Sequence, residues 1–222
     1  MTQRLRLVVA GAGGHGAEVQ AYVRDLAREG WSGQLLGFLD DGVPAGRCRN
    51  LEILGALDSL AGRPAEFFDG LYYITALGSN ATRRKVVERI EALYGGRILP
   101  WTLTHPAAWL GEEIEIGAGT LLAPGVLITT RVRVGRHSIL NVKVSISHDC
   151  FVGDFVNLNP GVTVCGNVTI GEGAYIGTGA TLIDKVSVGE GAIIGGGAVV
   201  IDDIPDHVTA VGVPARVIKR HG

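Results

Sequence analysis

Only three cysteines occur among the 222 residues, Cys48, Cys150 and Cys165, and no two make a CxxC pair. An odd count at that spacing argues against a disulfide framework and predicts reduced thiols in a cytoplasmic protein. No combination of His, Cys and Asp has the spacing that closes a metal site, so no metal is expected. Apolar runs are short; none approaches the roughly 20 residues that span a bilayer, so no membrane insertion is expected. The opening stretch MTQRLRLVVAGAGG is too short in its apolar part for a secretory signal and reads as a buried strand. A net charge of −2 leaves no excess of basic residues to bind nucleic acid or an acidic membrane surface.

Glycine, by contrast, is abundant. The 34 glycines are about twice the usual share of roughly 7%. They cluster in the second half without a collagen period, which predicts a fold with many forced turns. With 46% hydrophobic and 19% charged residues the chain is globular in composition, and long enough for one large domain or two modest ones.

The first hundred residues alternate between strand and helix patterns. LRLVVAG is a continuous apolar run, as in a strand buried on both faces, and it ends in the glycine-rich turn Gly11 to Gly16. A helix follows, with Val19, Tyr22, Val23 and Leu26 on one face and Gly30 as its stop. QLLGFLDD and LYYITALGSN read as further strands. ATRRKVVERIEALYGG reads as a second helix, with Val86, Val87, Ile90 and Leu93 inward and Arg83, Arg84 and Lys85 on a solvated face. This pattern predicts a small Rossmann-like α/β domain with a parallel sheet over 1–101.

From about residue 102 the rhythm becomes six. Stepping by six from Leu110 to Val200 meets only Leu, Ile or Val, at 16 positions. The residue four after each, between Thr120 and Ala198, is always small or β-branched. Gly often follows the aliphatic, as at Gly117, Gly135, Gly153, Gly171 and Gly189, each 18 from the next. One inward aliphatic, one small inward corner residue and a tight turn make one flat side. Three such hexads close a triangular coil of 18 residues, and stacked coils satisfy one another's backbone groups. The predicted solenoid runs over 102–207 without interruption, with a tail at 208–222.

The pattern [LIV]-G-x-x-[STAV]-x resembles the hexapeptide repeat of left-handed β-helix acyltransferases. VTAVGVPARVIKR, Val208 to Arg220, resembles the ending of the same enzymes. GAGGHG, FLDD, LGSNATRRK and SHDCFVGD match, in order, the branch that acetylates bacterial sugars. That branch contains N-acetyltransferases of nucleotide-linked 4-amino sugars and sialic acid O-acetyltransferases. The resemblance implies an all-β left-handed parallel β-helix after the α/β domain, acetyl-CoA as co-substrate, a nucleotide-linked amino sugar (4-amino-4,6-dideoxy type) as acceptor, and a homotrimer with each acetyl-CoA site between two prisms. It also implies a place in surface glycan synthesis. O-acetylation of a sialic acid or related sugar is the alternative within the family; a non-catalytic scaffold that binds nucleotide sugars is the alternative outside it.

His148 and Asp149 are the second and third residues after the inward Ile146, so they sit at an outward turn. Two readings of the pair stand: a solvated turn, or a base with its carboxylate. Gly166 lies 18 residues on from His148, hence on the neighbouring coil, about 4.8 Å away. A base beside an exposed glycine N–H suits acyl transfer, which must take a proton and hold an oxyanion. Asn141 and Asn159 are also 18 apart and stack along another turn, either as amide donors or as a structural ladder. The resemblance makes His148 the general base, Asp149 the group that holds its ring, and Gly166 N–H the donor facing the acetyl oxygen. Relatives often carry a second His nine residues after the first; here that position is Asn157, which can donate but cannot titrate.

Gly11, Gly13 and Gly16 formally fit a dinucleotide fingerprint, with Asp40 and Asp41 ending the second strand. Such a turn can hold a phosphate or ribose near backbone N–H groups, or can simply let strand and helix pack. The resemblance implies that this domain grips the nucleotide of the acceptor, with Gly13, Gly14 and His15 lining the pocket and Asp40 or Asp41 meeting base or ribose. Arg216, Lys219 and Arg220 are candidates for the CoA phosphates. The remaining histidines, His105, His137, His207 and His221, carry no predicted role, His221 being placed at a frayed end.

Overall fold

The computed structural model describes residues 5–48 and 50–221, and the chain divides into two compact units, 1–101 and 102–222. The first unit is built on β1 (Arg6–Ala10), α1 (Gly14–Arg28), β2 (Gln34–Leu39), β3 (Gly46–Cys48), β4 (Leu51–Gly55), β5 (Leu71–Thr75), α2 (Asn80–Tyr94) and β6 (Leu99–Pro100). The sheet order is β3-β4-β2-β1-β5-β6, parallel except for the hairpin β3–β4. Leu7, Val8, Val9 and Ala10 are wholly buried, as a central strand with covered faces requires. The chain moves from β1 to β2 on one side and returns to β5 on the other. The carboxyl end of β1 is therefore a topological switch point, the place where open α/β sheets bind ligands.

Helix α1 buries Val19, Tyr22 and Val23, with Leu26 at the edge of the stripe. Helix α2 is capped by Ser79, whose hydroxyl accepts from Thr82 N–H, and stops at Gly95 in the left-handed region. Its buried stripe is Arg83, Val87, Ile90 and Tyr94; Val87 and Ile90 are as predicted, whereas Val86 and Leu93 are only half-buried. Arg83 is not on a solvated face: it is fully buried, and its guanidinium donates to Leu77 O at 2.9 Å and Asn80 Oδ1 at 3.4 Å. Burial, with Arg84 nearby, lowers its pKa to about 9. The Leu77 carbonyl and the Asn80 side chain replace water around this charge, which a charge-pattern reading cannot foresee.

The second unit is a three-faced coil of parallel strands. One face stacks Ser145–Ile146, Thr163–Val164, Thr181–Leu182 and Val199–Val200. The next stacks Phe151–Val152, Thr169–Ile170 and Ser187–Val188. The third stacks Leu103–Thr104, Leu121–Leu122, Ile139–Leu140, Asn157–Leu158, Tyr175–Ile176 and Ile193–Ile194. Partners are 18 residues apart throughout these ladders, as the hexads predict. The longer strands Trp109–Ile116 and Leu127–Val134 run through the corner between the first two faces. The inward aliphatics and small corner residues form one buried core from Leu122 to Val208.

Two details sharpen the sequence reading. The tight turn falls three residues after each aliphatic, as the placing of His148 and Asp149 at an outward turn expects. All fifteen such positions from Glu113 to Gly197 have φ between 51° and 77°, eight of them with side chains. The glycines directly after the aliphatic answer to space instead: a Cβ on Gly135 would meet Gly153 C and Asp154 N at 2.6 Å. Second, the last circuit is two residues short. Ile204 bridges Val188 and Thr209 pairs with Ile193, each 16 residues apart. The tail does not leave the coil there: Val208–Val211 extends the third face, and Arg216–Arg220 pairs antiparallel with it. His221 is held rather than frayed, with Nε2 2.8 Å from Thr209 Oγ1.

Candidate active site

His148 and Asp149 form the turn between Ser145–Ile146 and Phe151–Val152, on an outer corner of the coil. Asp149 adopts φ 59°, a conformation that Asp tolerates better than most residues, and its N–H donates to Thr130 O on the coil below. Its Oδ2 lies 2.7 Å from His148 Nδ1. The imidazole is half exposed, with 51% of the side chain accessible.

Beneath the pair is a residue the sequence reading did not single out. Arg131, 18 residues before Asp149, donates through Nε to Asp149 Oδ1 at 2.7 Å and through an Nη to Oδ2 at 3.0 Å. Hydrogen bonds from Arg131 first and His148 second lower the Asp149 pKa to about 2, and the same pairing raises that of Arg131. Asp149 is therefore an acceptor-only carboxylate at any ordinary pH. A cleft of about 420 Å³ opens beside the pair, lined by Glu113, Glu115, Arg131, Arg133, Asp149, Cys150 and Phe151.

Gly166 stacks on His148 as predicted, for Asn167 N–H donates to His148 O at 2.9 Å. A Cβ on Gly166 would lie 2.7 Å from His148 Cε1 and 2.8 Å from Nε2, so only glycine leaves room for the ring where it stands. The expected free N–H is not found, however. Gly166 N–H donates to Asp184 Oδ1 at 3.0 Å, one coil further on. The same turn device recurs where Asp154 accepts from Arg136 N–H.

The asparagines are not gathered around His148 within one chain. Asn141 and Asn159 stack at the corner that follows the third face, where Asn141 Oδ1 accepts from Val142 N–H and Asn159 Nδ2 donates to Ile176 O at 2.7 Å. Both amides thus serve the turn. Asn157 lies on the third face and is only 4% exposed, which removes it as a surface donor to a thioester. His137 is buried and stacks on Phe155, with ring centroids 5.3 Å apart. Among the described residues no three His, Cys, Asp or Glu side chains are grouped to hold a metal, and no helix is long and apolar enough to cross a membrane.

In the first unit, a cavity of about 170 Å³ lies at the switch point, lined by Gly11, Leu39, Asp40, Asp41, Leu57, Leu77, Thr82 and Val86. Asp40 accepts from Ala12 N–H at 2.8 Å and Gly42 N–H at 2.9 Å, tying the glycine turn to β2. Asp41 accepts from Leu57 N–H and pairs with Arg89. Gly13 and Gly14 are exposed with open space before them, whereas Gly11 and Gly16 are packing glycines: a Cβ on Gly16 would meet Gly11 O at 2.4 Å. His15 Nδ1 lies 2.7 Å from Glu18 Oε2.

Residues 6–90 match the family model of the PglD N-terminal domain, and 149–184 and 167–202 match that of the bacterial transferase hexapeptide. No curated protein sequence matches the chain. The acetyltransferase domain of PglB from Neisseria gonorrhoeae is 32% identical, with 96% of this chain and 99% of that one covered and a TM-score of 0.86. The chain belongs to the hexapeptide-repeat sugar acetyltransferases. The acetyltransferase is also 32% identical to WeeI from Acinetobacter baumannii, over 96% of this chain and all of that one, at a TM-score of 0.85. A His-to-Ala variant of GDP-perosamine N-acetyltransferase from Caulobacter crescentus, in complex with CoA and GDP-perosamine, is 26% identical over 98% of both chains, at a TM-score of 0.85. The fold of the acetyltransferase is thus an N-terminal α/β domain followed by a left-handed parallel β-helix.

Proposed function

We propose that the acetyltransferase moves the acetyl group of acetyl-CoA to the amino group of a nucleotide-linked 4-amino-4,6-dideoxy sugar, with His148 as general base. The observation that carries this reading is the His148–Asp149 pair on an outer corner of the coil, with Nδ1 engaged by the carboxylate at 2.7 Å. Full-length similarity to a perosamine N-acetyltransferase, and to a PglB acetyltransferase domain in complex with acetyl coenzyme A, supports the substrate class.

The acceptor nitrogen, as the free amine, attacks the thioester carbon. His148 Nε2 takes a proton from that nitrogen, the C–S bond breaks, and the imidazolium returns the proton to the departing thiolate. Asp149, an ionised carboxylate oriented by Arg131, holds the Nδ1–H tautomer and balances the imidazolium charge. Gly166 contributes the space for the ring. The glycine turn before α1 and the first-unit cavity with Asp40 and Asp41 are assigned to the nucleotide, where Gly13, Gly14 and His15 front the helix N-terminus. The enzyme works in the cytoplasm, where acetyl-CoA is made, as a homotrimer whose sedimentation reads as three chain masses.

A thiol-release assay with paired acceptors tests the reaction. Release with the 4-amino sugar nucleotide and not with its 4-hydroxy counterpart is expected. Release with a hydroxyl acceptor such as a sialic acid would make the enzyme an O-acetyltransferase. Nucleotide-sugar binding without any release would leave only a scaffold.

A further inference from the structure

We propose that Arg131 is a positioning residue of the acetyl-transfer site: it fixes the rotation of Asp149, and through Asp149 the tautomer of His148. The inference rests on the general-base reading of His148 and adds a third member that neither sequence resemblance nor motif assigns.

The argument begins with freedom of rotation. The terminal torsion of an Asp side chain is broad and nearly two-fold, and this one stands on an exposed corner, 34% accessible. A carboxylate held by one imidazole alone could turn and lose its bond. The Arg131 guanidinium removes that freedom because its fork takes both oxygens, at 2.7 and 3.0 Å. Oδ2 is then left pointing at His148 Nδ1.

Charge makes the second step. Asp149 is ionised at neutral pH as any ordinary carboxylate is, and the hydrogen bonds from Arg131 and His148 lower its pKa further, to about 2. An ionised carboxylate can only accept, so the proton of a neutral imidazole must reside on Nδ1 and the Nε2 lone pair is bare. The groups facing Asp149 are Arg131 and His148, with Glu113, Glu115, Arg133 and Cys150 around the cleft. Asp184 lies on the opposite side of the imidazole, bound to Gly166 N–H. Of these, Arg131 alone is both cationic and bonded to Asp149 through two nitrogens.

Register makes the third. Arg131 and Asp149 are partners on successive coils, so the fork is set by the same 18-residue stacking that builds the core. Arg131 sits at the left-handed turn position of its own hexad, with φ 51°.

The test uses full-length Arg131→Met and Arg131→Lys, with thermal unfolding as a check on the fold. Expected for Arg131→Met is a kcat roughly tenfold lower with both KM values within about twofold, as for a misplaced catalytic group. Arg131→Lys keeps the charge but not the fork and recovers part of the loss. The deciding readout is independent of turnover: the imidazole 15N spectrum of His148, assigned by its absence in His148→Ala, at a pH where the ring is neutral. In the native protein it shows the Nδ1–H tautomer; in Arg131→Met it shows a mixture, and the Asp149 carboxyl titrates nearer its ordinary value. An unchanged tautomer overturns the proposal, whether accompanied by a raised KM, which would make Arg131 a substrate contact, or by a lowered melting temperature, which would make it a tie between coils. If His148→Ala retains full turnover, the general-base reading fails, and the tautomer still reports whether Arg131 positions the pair.

Discussion

His148→Ala lowers kcat for acetyl transfer by about two to four orders of magnitude, the range that a positioned general base supplies. Stability is expected to stay within about 0.5 kcal/mol, because the ring is half exposed and packs against no core. The variant should bind CoA with unchanged affinity, since the loss belongs to proton transfer. Steady-state thiol release beside a thermal melt separates the two quantities. Retained turnover would remove His148 from the chemistry; lost folding would make the kinetics uninformative and shift the test to His148→Asn, which keeps volume and polarity.

Gly135→Ala is expected to destabilise the protein by about 3 kcal/mol, although it adds a single methyl group. That methyl would lie 2.4 Å from Asp154 Oδ1 and 2.6 Å from Asp154 N and Gly153 C. Two of those atoms are backbone of the next coil and cannot step aside unless adjacent coils part. Since every coil hydrogen-bonds to the next, local relief is small. For a chain of this size the melting temperature should fall by roughly 6–12 °C. Gly62→Ala is the control: nothing lies within 4 Å of its Cβ position, and no measurable loss is expected. Equal melting of the two variants would show that coil contact is not what the glycine protects.

The solenoid was legible because an inward position every six residues and a partner every eighteen are covalent arithmetic. Phase is lost only where the chain leaves out residues, and the two missing before Ile204 could not be read from a position that still looks aliphatic. The same arithmetic also pointed to Asp184 and Arg131. Each is 18 residues from a residue already singled out, Gly166 and Asp149, and each binds it. A charged residue on an outward turn looks like a solvated one, so nothing in the sequence sets them apart. Arg83 was illegible for another reason. Its charge is satisfied by a loop carbonyl and by Asn80, and no periodicity announces that arrangement. The α/β unit was legible in outline, since continuous apolar runs mark buried parallel strands, but its glycines serve both packing and exposure. Only coordinates separate Gly11 and Gly16 from Gly13 and Gly14.

The central claim is that acetyl transfer occurs at the His148 corner. A crystal structure with CoA and the amino-sugar nucleotide bound tests it most directly. The prediction is a thiol sulfur and an acceptor nitrogen both within reach of His148 Nε2. A sulfur seated instead at the corner of Asn141 and Asn159, with His148 facing bulk water, would contradict it.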